Sequence, residues 1–188
     1  MTSHPEPASQ AGPGGPDTRV VLRPARPADA RGIADLVRPY SDRHILIAKD
    51  LISYFEDIQE FTVAEMSPDD TQGPHLVGCG ALHVMWDDIA EVRTLAVDHD
   101  YQRHGVGSAI LEQLVDRARS LGLRRVFCLT FEVTFFERHG FHRIWGTPVG
   151  TDIYAEMLRS HDDGVAEFLD LARVKPNTLG NTRLLLDL

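Results

Sequence analysis

The chain lacks most of what would place it in a membrane, outside the cell or on nucleic acid. No apolar run reaches the ~18 residues that mark a membrane span. Cysteine is scarce: only Cys79 and Cys128 are present. They lie far apart in apolar, strand-like runs and form no CxxC pair, so they read as two buried thiols of a reducing compartment rather than a disulfide framework or redox motif. Positive charge is in deficit, with 19 Lys and Arg against 28 Asp and Glu and a net charge of −9. That balance leaves no basic face for nucleic acid or an anionic membrane. The first basic side chain is Arg19, so a secretory leader with its positive n-region is not expected, and the protein is placed in the cytoplasm.

What is present suits one globular domain. With 188 residues, 43% of them hydrophobic, the chain can bury a core without disulfide or metal staples. Residues 1–17 are mostly Pro, Gly, Ser and Ala. They cannot offset their ordering entropy by burial and read as a disordered tail, leaving residues 18–188 as the domain. Patterning then predicts a strand at Val20–Pro24, a helix from Pro27 to Val37, a second helical stretch over Ile45–Glu60 and a strand at Phe61–Glu65. The turn SPDDTQGP precedes an apolar run from His75 to Trp86, and Asp87–Asp88 turns the chain back into a strand ending at Val97. A glycine-bearing loop, a helix to Leu121, a strand at Arg124–Thr130 and a short helix ending at Gly140 follow. The chain closes with a strand at Phe141–Trp145, a helix near Thr151–Ser160 and a strand at Arg183–Leu188. This order predicts an α+β fold: a mixed, mostly antiparallel central sheet flanked by helices.

The most informative stretch joins a strand to an amphipathic helix through Gln102-Arg103-His104-Gly105-Val106-Gly107. A helix start offers unpaired N–H groups and the positive end of its dipole, and two residues without a Cβ let a phosphate approach the backbone. A diphosphate fits such a turn; glycine spacing alone suits a plain tight turn equally, and the Gln-Arg run and the strand-to-helix context favour the diphosphate. Ile110 stands where a dinucleotide fingerprint needs a third small residue, and Ser108-Ala109 stands where a P-loop needs Lys-Ser/Thr. His139 and His142 straddle a Gly-Phe turn with no completing ligand, so no metal is expected.

These residues resemble the GCN5-related N-acetyltransferases. Gln102 to Gly107 is similar to that family's Q/R-x-x-G-x-G/A signature, Arg93 to Val97 to its fourth strand, and Phe135-Phe136-Glu137-Arg138-His139-Gly140-Phe141 to its F-[YF]-x-x-x-G-F motif. Within the family, three segments resemble the N-acetylglutamate synthases in their short, acetyltransferase-only actinobacterial form: His44–Lys49, Glu91–Val97 and Gly180–Leu185. The resemblance implies acetyl-CoA as co-substrate and the α-amine of glutamate or glutamine as acceptor, the first step of arginine biosynthesis. By family analogy it also implies a homodimer. Rival readings keep the fold but acetylate another small amine or a protein N-terminus, or make the chain a non-catalytic acyl-CoA sensor.

The resemblance also assigns residues. Leu95, Ala96, Val97, Gln102, Arg103, His104, Gly105, Val106, Gly107 and Phe136 are expected at the cofactor, the strand residues through their backbone and with an N–H near Leu95 facing the developing oxyanion. Lys49, Arg93, Thr94, Thr130, Asn181 and Thr182 are expected at the amino acid. Gly180 stands where the family carries Arg, with Lys175 and Arg183 as neighbouring cations. Phe136 replaces the Tyr with which many members protonate the departing thiolate, so that acid is excluded, and Tyr154 is an unassigned alternative. Helix packing is the other role for the aromatic pair, and Phe135 is expected to fill it. Glu91 is the candidate base, sharing a strand face with Arg93, Leu95 and Val97 by period-two spacing; its alternative is a strand-end carboxylate paired with Arg93.

Overall fold

The computed structural model describes residues 20–188 apart from 48, 67–74 and 175–179. The expected tail at 1–17, the SPDDTQGP turn and Lys175 therefore lie outside the described residues. In chain order the elements are β1 (Val20–Pro24), α1 (Ala30–Ser41), α2 (Leu51–Glu56), β2 (Phe61–Met66), β3 (His75–Val84), β4 (Ile89–Val97) and α3 (Val106–Ser120). Then come β5 (Arg125–Thr130), α4 (Val133–Glu137), β6 (His142–Arg143), α5 (Thr151–Met157), α6 (Asp163–Phe168) and β7 (Thr182–Asp187). Seven strands form one sheet in the order β1-β2-β3-β4-β5-β7-β6. Every neighbouring pair is antiparallel except β4–β5.

Helices cover both faces. Beneath α3, Ile110, Leu111 and Leu114 pack on Ala90, Val92, Val126 and Leu184. On the other face Ile33 and Val37 of α1 pack on Cys79, Ala81 and Ala96. A separate cluster there joins Met157, Val165 and Phe168 of α5 and α6 to Ile89, Phe127 and Leu185. A cleft lies between these last two clusters. Both thiols are buried and unpaired, which pushes Cys79 up to about 12 and Cys128 well above the ordinary thiol range.

Three departures from the sequence reading matter. The stretch Ile45–Glu60 is not one helix: Asp50 is extended, so α2 starts at Leu51, and a 3-10 turn at Ile58–Glu60 leads into β2. The last sheet edge is shorter than Phe141–Trp145, only His142–Arg143 pairing with β7. And α6 was not anticipated.

Two irregularities of β4 shape the site. Cys79 pairs with Ala96 but Ala81 with Arg93, so β4 carries one residue more than β3 across this interval, and Thr94 takes a φ of 56°. This bulge reverses the alternation. Ala90, Val92, Leu95 and Val97 all pack toward α3, so Glu91 and Arg93 share their face with Ala96 and not, as strict period-two spacing predicts, with Leu95 and Val97. Beyond Glu91 the parallel strands part. Only Ile89–Glu91 pair with Arg125–Phe127, while β4 runs on beside β3 to Val97 and β5 beside β7 to Thr130. A wedge opens between β4 and β5, with Glu91 at its apex.

Candidate active site

The wedge opens into a cleft of about 1130 Å³. Ile45, Lys49 and Asp57 form one side, Glu91, Arg93 and Thr94 the floor, and Asp162, Gly164, Glu167 and Asn181 the other side. Glu91 is 3% exposed, and its Oε2 is buried without a hydrogen-bond partner. Burial pushes its carboxyl up to about 7 against the pull of Arg93; Asp162 adds to the rise, and His83 and Lys49 oppose it.

Arg93 is the hub beneath. Its Nη1 donates to both oxygens of Asp162 at 3.1 and 2.9 Å, and its Nη2 donates to Glu60 Oε2 at 2.9 Å and lies 3.4 Å from Asp57 Oδ2. The guanidinium thus ties β4 to the turn before β2 and to the start of α6. It makes no direct ion pair with Glu91, so the strand-end pairing considered for Glu91 is not the arrangement found. His83 Nδ1 lies 2.7 Å from Glu60 Oε1 and 3.0 Å from Arg93 Nη2. Burial resists its protonation, but the Glu60 hydrogen bond and the charges of Glu60 and Asp162 prevail over Arg93 and raise its pKa. Lys49 Nζ lies 3.0 Å from Asp57 Oδ2, and Arg93, shared by Asp57 and Asp162, links the charges of the two sides.

Of the residues expected at the amino acid, Lys49, Arg93, Thr94 and Asn181 all line the cleft. Arg93 reaches it already engaged by carboxylates. Thr130 and Thr182 are not brought there. They pair with each other across β5 and β7, and alternation gives the cleft side to Leu129, Phe131 and Asn181. Arg183 does not replace the missing cation at Gly180, because its donors go to the carbonyls of Gly146, Glu167 and Phe168. Tyr154 is also outside the cleft, its hydroxyl donating to Leu169 O at 3.3 Å.

At the other end of β4, Gln102 to Gly105 are exposed, and Gly105 caps α3 with a φ of +82°. The first bond of α3 runs from Ala109 N–H to Gly105 O, so the N–H groups of Val106, Gly107 and Ser108 precede the helical ladder. The Val106 side chain is core, at 2% exposure; only its backbone faces the turn. Gln102 Nε2 donates to the Tyr40 hydroxyl at 2.8 Å, and that hydroxyl donates to Val97 O, which ties the turn to α1. The placements of the two phenylalanines are the reverse of those expected. Phe136 is 5% exposed between Phe135 and Phe141, whereas Phe135 lies beside Gly107, its Cζ 3.7 Å from where a Cβ would stand.

Sequence reasoning missed Asp57, Glu60, His83, Asp162, Gly164 and Glu167. A local signal existed for α6 alone: Asp162 accepts a hydrogen bond from Val165 N–H as an N-cap, a pattern visible as Asp followed by an apolar turn. The others converge through tertiary folding and carry no local mark.

Among the described residues no group of three His, Cys, Asp or Glu is placed to hold a metal ion, and no helix is long and apolar enough to cross a membrane. Residues 34–141 match the Acetyltransferase (GNAT) family. An amino-acid acetyltransferase of Mycobacterium tuberculosis is 54% identical over 170 residues, covering 90% of this chain and 95% of that protein. The crystal structure of Rv2747 from Mycobacterium tuberculosis, in complex with CoA, superposes with a TM-score of 0.84 at 54% identity, over 89% of this chain and 99% of that one. The N-acetylglutamate synthase of Neisseria gonorrhoeae, complexed with coenzyme A and N-acetyl-glutamate, shares the fold at a TM-score of 0.70 and 24% identity, and the match spans 35% of its chain. With a family match over more than half its length, and a relative covered almost end to end, the chain belongs to the GNAT family of acetyltransferases.

Proposed function

We propose that the protein transfers the acetyl group of acetyl-CoA to the α-amine of glutamate or glutamine, as the entry step of arginine biosynthesis in the cytoplasm. The reading is carried by one observation: a buried carboxyl, Glu91, at the apex of the β4–β5 wedge, where the amino-acid cleft meets the open edge of β4. The Mycobacterium tuberculosis relative, an amino-acid acetyltransferase by name, supports it, as does the CoA complex of Rv2747.

In this reading the CoA diphosphate lies over the N–H groups of Val106 to Ser108, and the thioester runs along the free edge of β4. Lys49 receives a substrate carboxylate. Glu91 takes a proton from the α-ammonium, and the amine's lone pair then attacks the acetyl carbonyl. The Thr94–Leu95 bulge leaves backbone outside the β3 ladder, where an N–H faces the developing oxyanion. The C–S bond breaks with its electrons on sulfur, and the thiolate takes the second N–H proton without a Tyr acid, Phe136 standing at that position.

CoA release with glutamate, glutamine and a polyamine tests the assignment; release with polyamine alone would defeat it. Gly105→Glu is expected to raise the KM for acetyl-CoA at least tenfold. The site has room for a side chain, with nothing within 4 Å of a Cβ. The fold bears left-handed strain of about 1–2 kcal/mol, and the new carboxylate takes the positive helix start that the diphosphate would occupy and repels it. An unchanged KM in a folded variant would remove the turn from the cofactor site. Lys49→Ala is expected to raise the KM for the amino acid much more than that for acetyl-CoA, and equal rises in steady-state kinetics would assign Lys49 a structural role.

A further inference from the structure

Glu91 is not the only desolvated carboxyl in the cleft. Glu167 is 4% exposed, lines the same cavity, and has its Oε1 buried without a hydrogen-bond partner. Gly164 brings the two together: a Cβ there would stand 2.4 Å from Glu91 Oε2. Residues three apart share a helix face, so Glu167 follows Gly164 onto the side of α6 that meets Glu91. Among the described residues no guanidinium pairs with its carboxyl, since Arg183 donates to its main-chain carbonyl instead. Asp163 on α6 and Asp162 at its N-cap add negative charge, with Arg183 on β7 opposing. Two carboxyls so placed do not both ionise without a large penalty.

We infer that Glu91 and Glu167 rest with one proton between them, and that Glu167, acting through Glu91, carries the amine's proton out into the cleft. The inference rests on Glu91 being the base. At rest Glu91 is ionised and Glu167 holds the proton. When the ammonium N–H breaks and Glu91 gains its proton, the charge that held Glu167 protonated disappears. Glu167 then releases its proton to cleft water; the O–H bond of Glu91 breaks as it protonates a water between the two carboxyls, that water passes a proton on to Glu167, and the resting state returns. Burial, then the charge of Glu91, raise the Glu167 carboxyl above its ordinary range, while Arg93, His83 and Lys49 hold Glu91 down against its own burial, which leaves the resting proton on Glu167.

The test compares wild type, Glu167→Gln and Glu167→Asp by CoA release with glutamate and glutamine. Glu167→Gln should lower kcat about tenfold and leave the KM for acetyl-CoA unchanged. Its kcat should recover as imidazole, a small proton carrier, is raised at constant pH and ionic strength. Glu167→Asp, keeping the carboxyl, should retain more of kcat than Gln does; a packing role predicts the reverse, because Gln matches the volume. A Gln variant with wild-type kcat, or one that imidazole does not restore, overturns the proposal. Wild-type protein that releases no CoA with either amino acid would instead defeat the functional reading itself.

Discussion

Glu91→Gln is expected to lower kcat/KM by about two to four orders of magnitude and, at pH 8, to make the protein more stable. The substitution keeps the shape and removes the charge. In the wild type, burial holds the Glu91 carboxyl at about 7 rather than the ordinary 4.5. Between those two values the folded state keeps a proton that the unfolded chain has lost, so stability must fall as pH rises. The contribution is fully present below the ordinary range and gone above about 7, where ionised Glu91 costs about 3 kcal/mol. Gln carries no such cost. Thermal melts of the variant should therefore lie above wild type at pH 8, converge with it near pH 4.5, and vary less between. Wild-type activity should rise with pH through about 7 as the base ionises. A variant as active as wild type would place the base elsewhere, and one less stable at pH 8 would mean that the carboxylate is well solvated or paired.

How much of this was legible in the sequence follows from the range of the interactions. The α3 turn was read from Gln102 to Gly107 because its chemistry is local: a strand, two glycines and an amphipathic helix in succession. The sheet class was equally open to period-two patterning, and Glu91 was reached as a carboxylate at the start of the strand that the family resemblance singles out. What failed was long-range. A bulge is a mismatch between two strands, so no pattern within β4 alone announces that Leu95 and Val97 turn away from Glu91. Thr130 and Thr182 matched family positions, yet their faces are set by pairing with each other. The acid cluster about Arg93 draws on the turn at Ile58–Glu60, β3 and α6, which lie far apart in the chain. Only the N-cap Asp162 was locally readable.

Arg93→Met is expected to destabilise the fold by about 3–5 kcal/mol at pH 8 and to move the acidic limb of kcat/KM upward. The side chain is 9% exposed and paired with Asp57, Glu60 and Asp162. Met fills the stem's volume but leaves these carboxylates and Glu91 converging without a cation. Burial alone would raise Asp162; it is the charge and hydrogen bonds of Arg93 that bring it below its ordinary value, so that support disappears. Glu91 loses the strongest influence holding it down and rises above about 7. Both changes favour protonated carboxyls in the folded state, so the variant should regain stability as pH falls from 8 toward 5, more steeply than wild type does. Arg93→Lys should fall between the two, because one ammonium cannot reach Asp162 and Glu60 at once as the guanidinium fork does. Melting curves at pH 5 and pH 8 together with the pH profile of kcat/KM decide it. A Met variant that melts with wild type at pH 8 would show that water, not Arg93, carries these charges, and would take Arg93 out of the control of the base.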